Sequence, residues 1–332
     1  MSRKVITVTM NPSIDKTVEI SELIPYGLNR VKSIRQDPGG KGINVGRVLQ
    51  NFGVDVIATG LIAGHQGKAL QDELDACGLL HDFMPVEGET RTNLKIVDES
   101  IGKVTEVNEP GFFVTPEQAD TFLRKLADMS EEAEIVILSG SLPPGITIDY
   151  YAKCISVLKS RGVKVLLDAD GPALLEGINA VPYAIKPNLQ ELGTLFHSEF
   201  NNISHVAEAA VKLTEKGVEI VIVSLGPEGG VFVSKDGIFK ADSWDIPVKS
   251  TVGGGDAMVG ALAYSMIRGD SLYDTARFAT AAGTITVSKA GTQFCSFKEV
   301  QETVGKVFIR DIHLNSNERI HPAPNQKWSA FS

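Results

Sequence analysis

Three glycines run into an aspartate and then an apolar helical pattern in STVGGGDAMVGALAYSM, residues 250–266. Gly253, Gly254 and Gly255 can take conformations in which successive N–H groups converge on an anion. Asp256 would then stand at a helix N-terminus, where negative charge is favoured. A carboxylate beside an anion hole suits phosphoryl transfer, as a general base that the helix dipole keeps ionised. The local sequence equally allows a plain helix cap.

A second glycine tract, PGGKGINVGRVLQNFG (38–53), fits a loose dinucleotide fingerprint through Gly40, Gly42 and Gly46. The context argues against a nicotinamide site: a polar SIRQD precedes it, and no acidic residue follows about 20 positions on. The better reading is Gly39 and Gly40 exposing amides at a helix start, with Lys41 and Asn44 on its first turns, for a polar or phosphorylated substrate. No Gly-Lys pair fits GxxxxGK[ST], which argues against a P-loop NTPase. In IKPNLQELGTL (185–195), Asn188 and Glu191 share a helix face. They form either a cap with a first-turn acid or a polar pair for hydrated Mg²⁺. NPSID (11–15) places Asp15 at the end of the first strand. GETRTN (88–93) supplies Arg91, either a surface charge or a phosphate clamp, with Asn93 beside it. SLGPEGG (224–230) by itself reads as a hairpin turn.

These groups need a scaffold. Nearly continuous apolar runs at 4–10, 55–63, 133–141, 162–170, 183–188 and 219–226 read as strands buried on both faces. Helical patterns fall at 41–53, 67–77, 116–129, 147–161, 189–196 and 204–216, with Thr115-Pro116 as a start signal. The alternation predicts a doubly wound, mostly parallel α/β sheet with helices on both faces and ligands at the carboxyl ends of its strands. Two stretches break the rhythm, at about 12–36 and 92–108. They read as amphipathic strands of a small sheet whose dry face needs a cover, either the active site or the same sheet of a second subunit. Residues 315–332 form a polar extension.

A chain of 332 residues with 43% hydrophobic and 22% charged residues is an ordinary globular protein. Its net charge of −9 argues against nucleic-acid binding. No segment approaches the roughly 20 apolar residues of a membrane span, and no signal peptide is evident. Cys77, Cys154 and Cys295 form no metal or disulfide pattern. A cytoplasmic protein is expected.

Taken together, GGKGINVGRVL, SGSLPPG, KPNLQEL, VSLGPEGG and STVGGGDAMVGAL, in this order and spacing, resemble the ribokinase/PfkB-type sugar kinases from the first strand to about residue 300. The resemblance implies one kinase domain over 1–314 with a β lid, ATP, Mg²⁺ and γ-phosphoryl transfer to a sugar hydroxyl. NPSID, GETRTN and GLNR resemble the branch acting on sugar phosphates, 1-phosphofructokinases above tagatose-6-phosphate kinases. Fructose 1-phosphate is therefore the expected acceptor. Tagatose-6-phosphate or 6-phosphofructokinase activity is the alternative within the family, and a non-catalytic sugar-phosphate or nucleotide sensor the alternative outside it.

By the same resemblance, Asp15, Gly39, Gly40, Asn44, Asn93 and Ser139 would hold the sugar, and Lys41 and Arg91 its phosphate. Lys186, Asn188, Ser224, Gly226 and Gly229 would line the nucleotide site, and Asn188 with Glu191 would hold Mg²⁺ through water. Relatives include enzymes activated by a monovalent cation, which no residue pattern here assigns. A homodimer through the lid is expected. One departure is Gly254, where relatives usually carry alanine.

Overall fold

Apolar residues on both faces of a strand demand cover on both sides, and the computed structural model shows how the chain supplies it. It describes residues 4–250, 252–291 and 293–314. The extension at 315–332 lies outside them.

In chain order, β1 (Lys4–Thr9) leads to the paired strands β2 (Ser13–Ile20) and β3 (Val31–Gly39). Then come α1 (Lys41–Asn51), β4 (Val56–Ala63), α2 (Gly64–Ala76) and β5 (His81–Val86). A second pair follows, β6 (Arg91–Asp98) and β7 (Lys103–Asn108). The chain then alternates through α3 (Pro116–Met129), β8 (Ala133–Ser139), α4 (Tyr150–Ser160), β9 (Lys164–Asp168) and α5 (Gly171–Asn179). It continues with β10 (Ala184–Ile185), α6 (Leu189–Phe196), α7 (Ile203–Glu215) and β11 (Ile220–Ser224). Last are β12 (Gly230–Ser234), β13 (Gly237–Asp242), α8 (Gly254–Arg268), α9 (Leu272–Val287), α10 (Phe297–Thr303) and β14 (Phe308–Asp311).

Ten strands form one sheet in the order β14-β13-β12-β11-β10-β9-β8-β1-β4-β5. From β11 to β5 the pairs are parallel, and β12, β13 and β14 extend the sheet antiparallel. Side chains alternate between two cores. Ile135 and Ile137 of β8 enter the core with α1, α8 and α9, whereas Val136 and Leu138 enter the core with α3, α4 and α7. From β1 the chain winds to β4 and β5 on one side and later to β8 and beyond on the other. The order therefore reverses at β1/β8, where an open α/β sheet leaves a crevice for ligands.

The two amphipathic stretches form a separate sheet, β3-β2-β6-β7. Its register places Asp15 beside Asn93, Asn93 opposite Asn108 and Lys95 opposite Glu106, so these polar residues share a face. The other face carries Ile34, Leu94, Ile96 and Val107.

The strand expected at 183–188 shortens to Ala184–Ile185. Pro187 cannot donate to a ladder, so only an isolated bridge joins Asn188 to Ser224. The helices expected from 67 and 147 begin at Gly64 and Tyr150. Thr115 caps α3 in a full capping box, as its sequence indicates. Among the described residues no helix is long and apolar enough to cross a membrane.

Candidate active site

Two cavities open at the carboxyl edge of the main sheet. One, about 440 Å³, lies between that edge and the polar face of the small sheet. The other, about 390 Å³, lies between the β11–β12 turn and the helices α8 and α9. Ser224 and Gly255 line both, so the cavities meet at the N-terminus of α8.

Gly253 is the residue preceding α8 and has φ 84°. A side chain there would be strained, and its Cβ would lie 2.7 Å from the Phe294 ring. The left-handed residue lets the chain turn into the helix with its first N–H groups unpaired by preceding backbone. Asp256 follows in the first turn, buried. It is not the cap. Asn44 of α1 donates from Nδ2 to Asp256 Oδ2 at 2.8 Å. Burial, reinforced by the negative charge of Asp168, pushes Asp256 up to about 6, against the bond from Asn44 and the charges of Lys41 and Lys186. At neutral pH the carboxylate is still mostly ionised, as expected, but desolvation outweighs the groups that favour its charge and brings it closer to protonation than an exposed aspartate.

Gly40, φ 117°, plays the same part before α1, and a Cβ there would lie 2.6 Å from Thr9 Cγ2. Lys41 then starts the helix with its Nζ 3.7 Å from Asp168 Oδ1, and Lys186 Nζ is 3.3 Å from the same oxygen. Asp168 ends β9 and is fully enclosed. Burial would raise its carboxyl, but Lys186 and Lys41 together hold it below the ordinary value. In return Asp168 is the main reason that the Lys41 ammonium is held well above its own, despite burial. The Lys186 ammonium also lies against Gly255, 3.3 Å from where a Cβ would stand.

The small sheet supplies the far wall. Asp15 Oδ1 accepts from Ser13 Oγ (2.9 Å) and from Asn93 Nδ2 (3.2 Å), and Asp15 Oδ2 pairs with Lys95 Nζ at 2.8 Å. Arg91 donates to the carbonyls of Glu109 and Asn11, both at 3.2 Å. Among the described residues no carboxylate lies within ion-pairing distance of it. Burial pulls the Arg91 guanidinium below its ordinary value, with Asp15, Asp170 and Glu109 opposing. Buried polar atoms without partners concentrate around this cavity: Thr9 Oγ1, Asn11 Oδ1, Asn44 Oδ1, Asn93 Oδ1 and Arg91 Nε. Such groups are costly unless a ligand or water satisfies them. Hydroxyls and an anion are the chemistry they lack.

The second cavity is more apolar, walled by Trp244, Ile246, Val248, Met258 and Val287 beside Gly226, Gly229 and Thr284. The β11–β12 turn proves to be a hairpin, as SLGPEGG suggests, and its glycines form the cavity rim. Asn188 and Glu191 face the first cavity and also cap α6 reciprocally: Asn188 Oδ1 accepts from the Glu191 N–H and Glu191 Oε2 from the Asn188 N–H, each at 2.8 Å. The cap reading of this pair is realised. Burial raises the Glu191 carboxyl, against the Asn188 N–H, Lys41 and Lys186. Among the described residues no cluster of three or more His, Cys, Asp or Glu could hold a metal by direct ligation. A donor set of one carboxylate and one amide is compatible only with a hydrated, hard cation.

Three expected residues stand elsewhere. Ser139 is buried at the end of β8 with its carbonyl taken by Tyr151 Oη, and Ser141, two residues on, lines the cavity. The chain leaves the strand at Gly140, with φ 89°, and that turn brings Ser141 to the cavity in place of Ser139. Gly39 lies behind Asp15, with no room for a Cβ (2.4 Å from Asp15 Oδ1). Gly254 lines the second cavity, not the first. Among the lining residues missed by sequence reasoning are Asn11, Asp168, Asp170, Lys95, Glu106 and Asn108. Asp168 had a signal, an acid at the carboxyl end of an apolar strand. Lys95 had one too, lying two beyond Asn93 on a strand.

A doubly wound sheet, a lid, and two cavities meeting at a glycine-rich helix N-terminus with a buried carboxylate define a phosphotransferase. Residues 8–299 match the pfkB family of carbohydrate kinases, and the chain belongs to that family. It is 34% identical over 310 residues to the 1-phosphofructokinase of Escherichia coli K12, covering 93% of this chain and 99% of that protein. With the 1-phosphofructokinase of Rhodobacter capsulatus it shares 37% identity over 282 residues, 85% of this chain and 89% of the relative. The structure of E. coli phosphofructokinase-2 in complex with potassium superposes with a TM-score of 0.87 at 28% identity, covering 92% of this chain and 99% of that one. That enzyme is also solved with substrates and products and in a tetrameric inhibited form. PfkB kinases use ATP, and this chain is a carbohydrate kinase of that kind.

Proposed function

We propose that the enzyme transfers the γ-phosphoryl group of ATP to the free primary hydroxyl of fructose 1-phosphate, giving fructose 1,6-bisphosphate. The meeting of the two cavities at Ser224 and Gly255, with Asp256 on the polar side, carries this reading. The 31–37% identity to proteins named 1-phosphofructokinases supports it.

Asp15, Asn44 and Asn93 hold sugar hydroxyls, and Gly40 allows close approach of the backbone. Arg91 and Lys41 bind the phosphate already present; Arg91, tied among the described residues only to carbonyls, keeps its charge for an anion. Asp256, near neutral in affinity for a proton, accepts one from the attacking hydroxyl. The N–H groups of residues 253–256 and the ammonium of Lys186 stabilise charge on the transferring phosphoryl oxygens. Ser224, Gly226 and Gly229 border the nucleotide. Asn188 and Glu191 would hold Mg²⁺ through its water shell, where the ion neutralises phosphate charge. A monovalent cation belongs to this reading because E. coli phosphofructokinase-2 is solved with potassium, but no residue here is assigned to it. The lid excludes water from the transfer.

The outward face of the lid leaves Val31, Ile34 and Val107 about half exposed, at 46%, 59% and 55%. A second copy covers that face in a lid-to-lid homodimer. Light scattering should give twice the monomer mass, and Ile34→Glu with Val107→Glu should give the monomer.

A coupled ADP-release assay with fructose 1-phosphate, fructose 6-phosphate and tagatose 6-phosphate tests the function. Fructose 1-phosphate should give the highest kcat/KM. Preference for either other sugar would move the enzyme to the alternative branch, and ATP binding without ADP release would make it a sensor.

A further inference from the structure

We propose that Lys95 determines sugar specificity, reading one hydroxyl of the ketohexose jointly with Asp15. The inference rests on the assignment of the polar cavity to the sugar phosphate, and it adds a residue which that assignment does not use.

Lone pairs and donors can be counted. Asp15 Oδ1 already accepts from Ser13 Oγ and Asn93 Nδ2, at 2.9 and 3.2 Å. Asp15 Oδ2 accepts from Lys95 Nζ at 2.8 Å. A carboxylate oxygen accepts two bonds, so one acceptor site remains, on Oδ2 beside the ammonium. Lys95 has three N–H donors and spends one. The pair thus offers one acceptor and one donor side by side at the cavity wall. A sugar hydroxyl fits that demand by donating to Asp15 Oδ2 and accepting from Lys95 Nζ. Both side chains are nearly buried, with 12% and 8% exposure, so the hydroxyl replaces little water. Strand pairing fixes the geometry. Asp15 lies beside Asn93 and Thr17 beside Lys95 in the β2–β6 register, which puts the ammonium one step along the same face.

A pure strut between lid strands would give a different signature. It would affect stability and closure, whereas a reader of one hydroxyl distinguishes substrates that carry it from those that lack it. The test compares fructose 1-phosphate with its 3-deoxy and 4-deoxy analogues in the wild type, Lys95→Met and Lys95→Arg. The wild type should disfavour one analogue by about 10- to 100-fold in kcat/KM, the usual size of a charge-assisted hydrogen bond. Lys95→Met should raise KM for fructose 1-phosphate by a similar factor, leave KM for ATP unchanged and erase most of that discrimination. Lys95→Arg should restore part of it. If Lys95→Met does not fold by its thermal melt, Lys95→Gln, which still donates to Asp15 without the charge, replaces it. Undiminished discrimination in the variant, or equal rises in both KM values, would overturn the proposal. A wild type that ignores fructose 1-phosphate but uses another ketohexose phosphate would sink the substrate assignment alone. The deoxy comparison, made with that sugar, would still decide on Lys95.

Discussion

Asn44 donates a 2.8 Å hydrogen bond to Asp256, tying the first turn of α1 to the first turn of α8 across 212 residues of sequence. The bond holds a buried carboxylate in one orientation at the wall of the polar cavity. It also leaves Asn44 Oδ1 without a partner at the cavity wall. One side chain thus orients Asp256 from the wall of the polar cavity.

Asp256→Asn removes the proton acceptor but keeps an oxygen for Asn44. The turnover number should fall by ~10²–10⁴, the range for loss of a general base, with KM for either substrate little changed. The same substitution should raise stability. Folding favours the protonated form of a carboxyl raised to about 6, so its penalty grows as pH rises from the ordinary carboxylate range through 6 and is full above that. Urea unfolding at pH 8 should therefore show the variant more stable by on the order of 1–3 kcal/mol. Wild-type turnover in the variant would reduce Asp256 to a structural acid.

The pH profile follows from the same group. Turnover should drop as pH falls through about 6, because a protonated Asp256 accepts nothing. The charge of Asp168 helps to raise that value, so Asp168→Asn should move the acidic limb to lower pH. This variant should also destabilise the fold, since it leaves the buried ammonium of Lys186 unpaired at a cost of about 3 kcal/mol or more. The native ion pair contributes above the ordinary carboxylate range and is lost as pH falls through the depressed value of Asp168. An unmoved limb in Asp168→Asn would refute the electrostatic link.

Arg91→Ala should raise KM for the phosphosugar by tenfold or more, in line with loss of a charge-assisted contact of about 1.5–3 kcal/mol, and leave KM for ATP within about twofold. Steady-state kinetics with each substrate varied in turn will show this. Equal effects on both would place the guanidinium in scaffolding, through its bonds to the Glu109 and Asn11 carbonyls.

Gly254→Ala answers whether the extra glycine loosens the anion hole. Gly254 is helical, and a Cβ there meets only the Val287 Cγ1 methyl, at 2.8 Å, and the Gly283 carbonyl, at 3.5 Å. Gly254 is the first residue of the helix, where alanine's advantage over glycine falls short of the ~1 kcal/mol of a helix interior, and it is set against the shift demanded of the β-branched Val287. The variant should therefore lie within about 1 kcal/mol of the wild type. Its effect should fall on KM for ATP, because residue 254 borders the apolar cavity. A rise confined to the sugar phosphate would contradict that placement.

Much of this was legible in the sequence because it is local. Two-faced apolar strands, the Thr115 cap and the hairpin at 224–230 follow from residues near one another, and the fold class follows from their alternation. Helix α9 was not legible: it is buried on most of its circumference and rich in Ala and Thr, so it shows little periodicity. The dry face of the small sheet was legible, but not which way it faces. The register turns Asp15, Asn93 and Lys95 toward the cavity and the apolar side outward.

By itself, the sequence determined which groups can do chemistry here: the glycine-rich helix starts, Asp256, and the cations Lys41, Arg91 and Lys186. Left-handed glycines and short-range spacing suffice for that. Only the tertiary structure decided their electrostatics. Lys41 and Lys186 meet on Asp168, and Asp256 is desolvated far enough to bind a proton near pH 6. These are properties of distance and burial between separate segments, some as far apart in sequence as Asn44 and Asp256, and no local pattern encodes them.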